Sequence, residues 1–230
     1  MVMKRLYQFR VKVYSVVMAG KKQNGTKESN SYHHGDLRPA LITAARTILQ
    51  NQDTDALSLR SIASAIGVSH MAPYAHFKGK EELLQAVAGS GYEELANNML
   101  LVQQKHPKVR GRMLAFHYGV EYIQFAMTNP NLYRLMMNQI DSEKKSNQAA
   151  SNKDMMMSSQ RPFRLLFSAF ASERVRKELA HARALGAWAT VHGIASLAIE
   201  GHLILPKGMD VIQLFQTTVS STINWEQKNG

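Results

Sequence analysis

The 230-residue sequence contains no cysteine, which excludes disulfide scaffolds, thiolate metal sites and cysteine nucleophiles. That absence suits a reducing compartment such as the cytoplasm. Acidic residues are few: 17 Asp and Glu stand against 28 Lys and Arg, a formal net charge of +11. Catalytic signatures are missing too. The chain has no Gly-rich phosphate loop, no Gly-x-Ser-x-Gly elbow, no His-Glu-x-x-His pair and no clustered carboxylates, so it reads as a non-enzyme that calls for no cofactor. Its most membrane-like run, ALGAWATVHGIASLAI at 184–199, lacks Asp, Glu, Lys and Arg but is shorter than the roughly 20 apolar residues of a span. His192 also sits in its middle. No membrane partner is expected.

The positive charge invites a nucleic-acid reading, but it is unevenly placed. Residues 1–30 carry +6, residues 31–91 hold five charges of each sign, and residues 92–230 supply +5. The opening MVMKRLYQFRVKVYSVV is not an export signal, because Arg10 and Lys12 interrupt its apolar run. Residues 1–30 read as a flexible basic arm, or as sequence ahead of a true start at Met18.

From Asp36 the periodicity is helical. Leu37, Ala40, Leu41, Ala44, Ala45, Ile48 and Leu49 recur at three- and four-residue steps, with Asp36 placed to cap the start and NQDTD at 51–55 to end it. A short second helix follows Ser58, with Leu59, Ile62, Ala63 and Ile66 facing inward. Gly67-Val68-Ser69 then joins it to a third helix over 70–77, which makes a helix-turn-helix. Gly67 can take the positive φ that stops a helix, and Ser69 can accept a backbone N–H bond at the start of the next. Pro73 falls in the first turn of that third helix, where a missing N–H forfeits at most one bond, to the Ser69 carbonyl. Pro73 and Phe77 then share an inward face, which leaves His70, Met71, Ala72, Tyr74 and Ala75 exposed. His70 and His76 are six apart, on different faces, so they do not suit metal chelation; His76 reads as a packed side chain. Glu81, Glu82, Leu83, Leu84 and Val87 open a long fourth helix.

SLRSIASAIGVSHMAPYAHFKGKEELL, together with YHHGDLRPALITAA and WATVHGIASLAIEGHL, resembles the TetR/AcrR-type transcriptional regulators, in the branch with a WHG-type C-terminal domain. The resemblance is strong over residues 32–91 and looser over 92–225. One departure is NQDTDALS, which stands where the family commonly has a glycine-containing turn. The resemblance implies an all-α protein in three parts. A flexible basic segment occupies 1–30, a helix-turn-helix domain 31–80, and a larger effector-binding and dimerisation domain 81–230. It implies a cytoplasmic homodimer on double-stranded operator DNA, most often a repressor, released from a palindrome by a small apolar effector. Carried over by position, Arg60, Ser69, His70, Met71, Ala72, Tyr74, Ala75 and Lys80 fall on DNA-binding positions. Tyr74 and Lys80 match backbone contacts, Arg60 a base or phosphate contact, and the short side chains with His70 match base-facing positions.

Beyond residue 92 the chain reads as helices broken near 105–107, 128–131, 141–154 and 205–210. Along them lie Met113, Phe116, Tyr122, Phe125, Met136, Met137, Phe163, Phe167 and Phe170, a spacing usual for core. The resemblance implies that Phe116, Tyr122, Phe125 and Phe167 help line an effector cavity, with His117, Trp188 and His192 as polar handles. It also implies dimerisation through residues about 181–225. There the Ala-, Gly- and Ser-rich run would pair with 211–225, whose inward face is Val211, Leu214, Phe215, Thr218, Val219 and Ile223. A helical adaptor that binds protein rather than DNA is the alternative reading.

Overall fold

The computed structural model describes residues 37–145 and 153–228, with side chains described for 37–139 and 154–220. The basic arm, Met18, the Asp36 cap and the side chain of Ile223 lie outside those residues. Eight α-helices and no strand occur among the described residues: α1 Leu37–Leu49, α2 Leu59–Ile66, α3 Lys80–Lys105, α4 Gly111–Thr128, α5 Pro130–Lys145, α6 Lys153–Ala171, α7 Lys177–Ile199 and α8 Val211–Lys228. Two short 3₁₀ segments, Thr54–Ala56 and Ala72–Ala75, complete the set. No helix of the described residues is long and apolar enough to cross a membrane.

The apolar stripe of α1 becomes its buried face: Leu37, Leu41, Ala45 and Leu49 are covered, while Ile48 is half-buried. This face packs on α2 and α3. Helix α3 is the spine of the molecule. Its 26 residues extend about 39 Å at about 1.5 Å per residue, and it packs against α1, α4, α5 and α6 in turn. Gly91 lets α5 approach closely, since a Cβ there would lie 2.6 Å from Met136 Sδ. Across the same seam the buried Tyr92 hydroxyl donates to the Met136 carbonyl at 3.0 Å. Asn131 Nδ2 donates to the carbonyls of Leu49 (3.1 Å) and Gln52 (2.8 Å), tying the start of α5 to the end of α1.

Most of the expected breaks appear, with two differences. Helix α5 runs on to Lys145 and α6 begins at Lys153, so the gap at 141–154 is shorter than its polar composition suggests. A further break at 172–176 was not expected; it contains neither Gly nor Pro, and Arg174 takes a left-handed φ of 57°. Met113, expected in the core, is 54% exposed.

Candidate nucleic-acid interface and effector cavity

The segment between α1 and α3 is held by short-range bonds. Ser58 Oγ accepts the Ser61 N–H at 2.9 Å while Ser61 Oγ accepts the Ser58 N–H at 3.0 Å, a reciprocal capping box that starts α2. Gly67 ends the helix at φ 72°, a conformation costly for any residue with a Cβ. The Ala63 carbonyl accepts the Val68 N–H at 3.0 Å, which turns the chain across α2. Ser69 Oγ then accepts the Met71 N–H at 3.2 Å, and the Ser69 carbonyl accepts the Ala72 N–H at 2.9 Å.

The expected α-helix over 70–77 is replaced by one 3₁₀ turn, Ala72–Ala75. Proline explains the tightening. With Pro73 unable to donate, the segment closes through i→i−3 bonds, Tyr74 N–H to the Met71 carbonyl (3.1 Å) and His76 N–H to the Pro73 carbonyl (3.0 Å). The Ser69 carbonyl is already satisfied by Ala72, so the proline strands no acceptor there. Pro73 and Phe77 are buried together, with Arg38 seated 5.2 Å from the Phe77 ring centre. His70, Met71, Tyr74 and Ala75 are exposed as expected, but Ala72 is half-buried against the core. His70 Nε2 lies 3.0 Å from Ser64 Oγ, which ties this segment back to α2. Arg60 and Lys80 are exposed on the flanking helices, and Glu82 accepts the Lys78 N–H at 2.8 Å beside the start of α3.

A cavity of about 350 Å³ opens between α3, α4, α6, α7 and α8. Phe116 and Phe215 stack along it with ring centres 5.7 Å apart. Gly119 makes room for that arrangement, because a Cβ there would lie 2.4 Å from Phe215 Cζ. Tyr122 and Trp188 meet edge to face at 5.4 Å on another part of the wall. Behind Tyr122 lies a polar cluster, with His192 Nδ1 2.6 Å from the Tyr122 hydroxyl and 3.1 Å from that of Tyr133, which itself reaches Ser196 Oγ at 3.2 Å. Burial pushes His192 down to about 4, so its ring is neutral and Nδ1 can accept from a tyrosine hydroxyl. Burial likewise pushes the Tyr122 hydroxyl well above its ordinary range.

Comparison with known proteins bears on both halves. Residues 41–87 match the family described as bacterial regulatory proteins, tetR family, and residues 116–222 match the tetracyclin repressor-like C-terminal domain. The chain belongs to the TetR family of transcription regulators. Its DNA-binding domain is the helix-turn-helix one, and the larger helical domain follows it. A solved protein of unknown function from Rhodococcus sp. RHA1 is 30% identical, with a TM-score of 0.67, over 84% of this chain and 96% of that one. A TetR family transcription regulator from Marinobacter aquaeolei VT8 shares the fold at 17% identity, with a TM-score of 0.54, over 79% of this chain and 92% of that one. A TetR/AcrR regulator from Thermobifida fusca YX-ER1 does so at 20% identity and a TM-score of 0.51, over 79% and 93%. No curated protein matches the sequence.

Within this TetR-family chain the candidate effector residues separate into two groups. Phe116, Tyr122 and Trp188 line the cavity, whereas Phe125, Phe167, His117 and His192 are not among its lining residues. Phe125 is core, and Phe167 packs edge-on to His181. His117 stacks on His106 with ring centres 4.5 Å apart, its pKa lowered by burial first and by the neighbouring imidazole second. Sequence reasoning passed over Arg112, Arg183, Gly119 and Phe215 as cavity residues. The turn at 172–176 brings Glu173 against both arginines.

Proposed function

We propose that this TetR-family protein is a dimeric repressor whose grip on a palindromic operator is released when a small, largely apolar effector fills the cavity. Residues 31–80 read DNA and 81–230 hold effector and partner. The observation that carries the reading is the course of α3. Lys80 stands at its first position, six residues after the exposed Tyr74, and Met99 near its far end lines the cavity. A ligand that shifts α3 therefore shifts the DNA-facing segment, and by linkage DNA and effector weaken each other's binding equally.

On this reading Tyr74 and Lys80 fix register on the phosphates, Arg60 and Ser69 assist, and His70, Met71, Ala72 and Ala75 meet base edges. Two copies must place these segments about 34–36 Å apart to read a palindrome. The exposed stripe Ala182, Leu185, Gly186, Ala189, Gly193 and Leu197 along α7 supports pairing through the last two helices. Small residues there let a partner helix approach closely, and Leu185 and Leu197 are each more than 40% exposed in the single chain.

The test is selection of random duplexes with the purified protein, followed by titration of the winner at two salt concentrations. An inverted repeat should emerge, with affinity that falls steeply as salt rises. Tyr74→Ala and Lys80→Ala should each weaken that affinity about tenfold, or about 1.4 kcal/mol, while light scattering still finds the dimer. Wild-type affinity in both variants sinks the assignment of the DNA-facing segment. Failure to enrich any sequence favours a protein-binding adaptor.

A further inference from the structure

The cavity wall is apolar over most of its extent, yet the two formally charged side chains that line it, Arg112 and Arg183, are both basic. Among the described residues no carboxylate lines it. Glu173 lies outside the lining, where its Oε1 accepts the Arg112 backbone N–H at 2.7 Å and its Oε2 accepts Arg183 Nη1 at 2.8 Å. Three other polar groups on the wall are bonded internally. The Tyr118 hydroxyl donates to Gln103 Oε1 at 3.1 Å, the Tyr122 hydroxyl meets His192, and Thr190 Oγ1 donates to the Gly186 carbonyl at 2.9 Å. Glu173 is the only partner of Arg183 among the described residues, so the rest of its guanidinium fork is open to a guest.

We infer that the effector is an amphipathic carboxylate, its acid group received by Arg183 and its apolar body laid between the Phe116–Phe215 pair and Trp188. This assignment rests on reading the cavity as the effector site. A cation would meet two guanidinium groups and no compensating carboxylate at the wall. A wholly apolar guest would bury the open donors of Arg183 without a partner, whereas a carboxylate pairs with them two at a time. The volume of about 350 Å³ is near the lower end of ligand pockets, about 300–1,000 Å³. It suits a body of one or two rings, or a short chain.

The probes are hexanoate, 4-phenylbutyrate and 2-naphthoate, each titrated calorimetrically into the full chain beside its primary amide. At least one acid should bind the wild type about tenfold or more tighter than its amide, the scale of a charge-assisted bond. Arg183→Met should erase that preference by weakening the acid far more than the amide. Arg183→Lys, which keeps the charge and loses the fork, should retain part of it, and thermal melts confirm that both variants fold. Amides that bind as tightly as acids overturn the charge assignment alone and leave the cavity reading standing. If no acid and no amide binds, the cavity reading falls with it.

Discussion

From Ser58 to Lys80 the chain is shaped by hydrogen bonds that reach two to six residues along the sequence, as between Ser69 and Met71, Ser58 and Ser61, Ala63 and Val68, or Ser64 and His70. The cavity draws its wall from five helices spread over more than a hundred residues, Met99 to Val219. The first region carries its instructions in residue types with narrow conformational roles: Ser at a cap, Gly at a positive φ, Pro in a tight turn. The second depends on which side chains arrive opposite one another after the helices pack. A local element tolerates change at a distance but not of its punctuation. A cavity tolerates change of punctuation but not of register.

Removing the buried ring at the end of the first region should have the largest effect. Phe77 ends the 70–77 segment, is 1% exposed, and packs in the core. Phe77→Ala should lower unfolding free energy by about 3–5 kcal/mol, read from denaturant curves; a loss below about 1 kcal/mol would mean the segment stands without the core.

His192 tests the other region. The folded chain keeps this ring unprotonated down to about pH 4, whereas an unfolded histidine takes its proton near about pH 6.5. Between those values the unfolded state binds more protons, so this contribution is intact above about pH 6.5 and falls away as pH drops toward 4. It amounts to on the order of 3 kcal/mol. Stability of the wild type minus that of His192→Asn, measured at about pH 7.5 and about pH 4, should shrink accordingly. A difference independent of pH would show that the ring is solvated.

Smaller effects come from the local punctuation. A Cβ at Gly67 meets nothing within 4 Å, so Gly67→Ala isolates backbone strain at φ 72°. It should cost about 1–2 kcal/mol and loosen the 70–77 segment, while any affinity of the cavity for the acid probes stays unchanged. Ser58→Ala removes one side of the capping box and should cost about 1 kcal/mol. Equal losses of ligand affinity in these two variants would break the separation drawn between the regions.

The helix-turn-helix was legible because its signals are local. Ser58, Gly67 and Ser69 each act within a few residues, and the stripe from Leu37 to Leu49 follows the helical period. The local misjudgements were the α-helix over 70–77 and the exposure of Ala72 within it. Pro73 does more than start that element, because the missing donor favours i→i−3 closure over a full α-turn. The cavity was half legible. Phe116, Tyr122 and Trp188 stand out as aromatics on apolar faces, but their spacing is that of ordinary core, which is also where Phe125 sits.

The sequence by itself determined the helical periods, the caps, the turn at Gly67 and the inward pairing of Pro73 with Phe77, because each depends on backbone conformations and bonds within one or two turns. Only the tertiary structure decided that Phe215 would lie over Gly119, that His192 would stay neutral between two tyrosines, and that a charged turn without Gly or Pro would set Glu173 between Arg112 and Arg183. Those outcomes follow from side chains far apart in sequence competing for one interior volume, and no local preference records who wins.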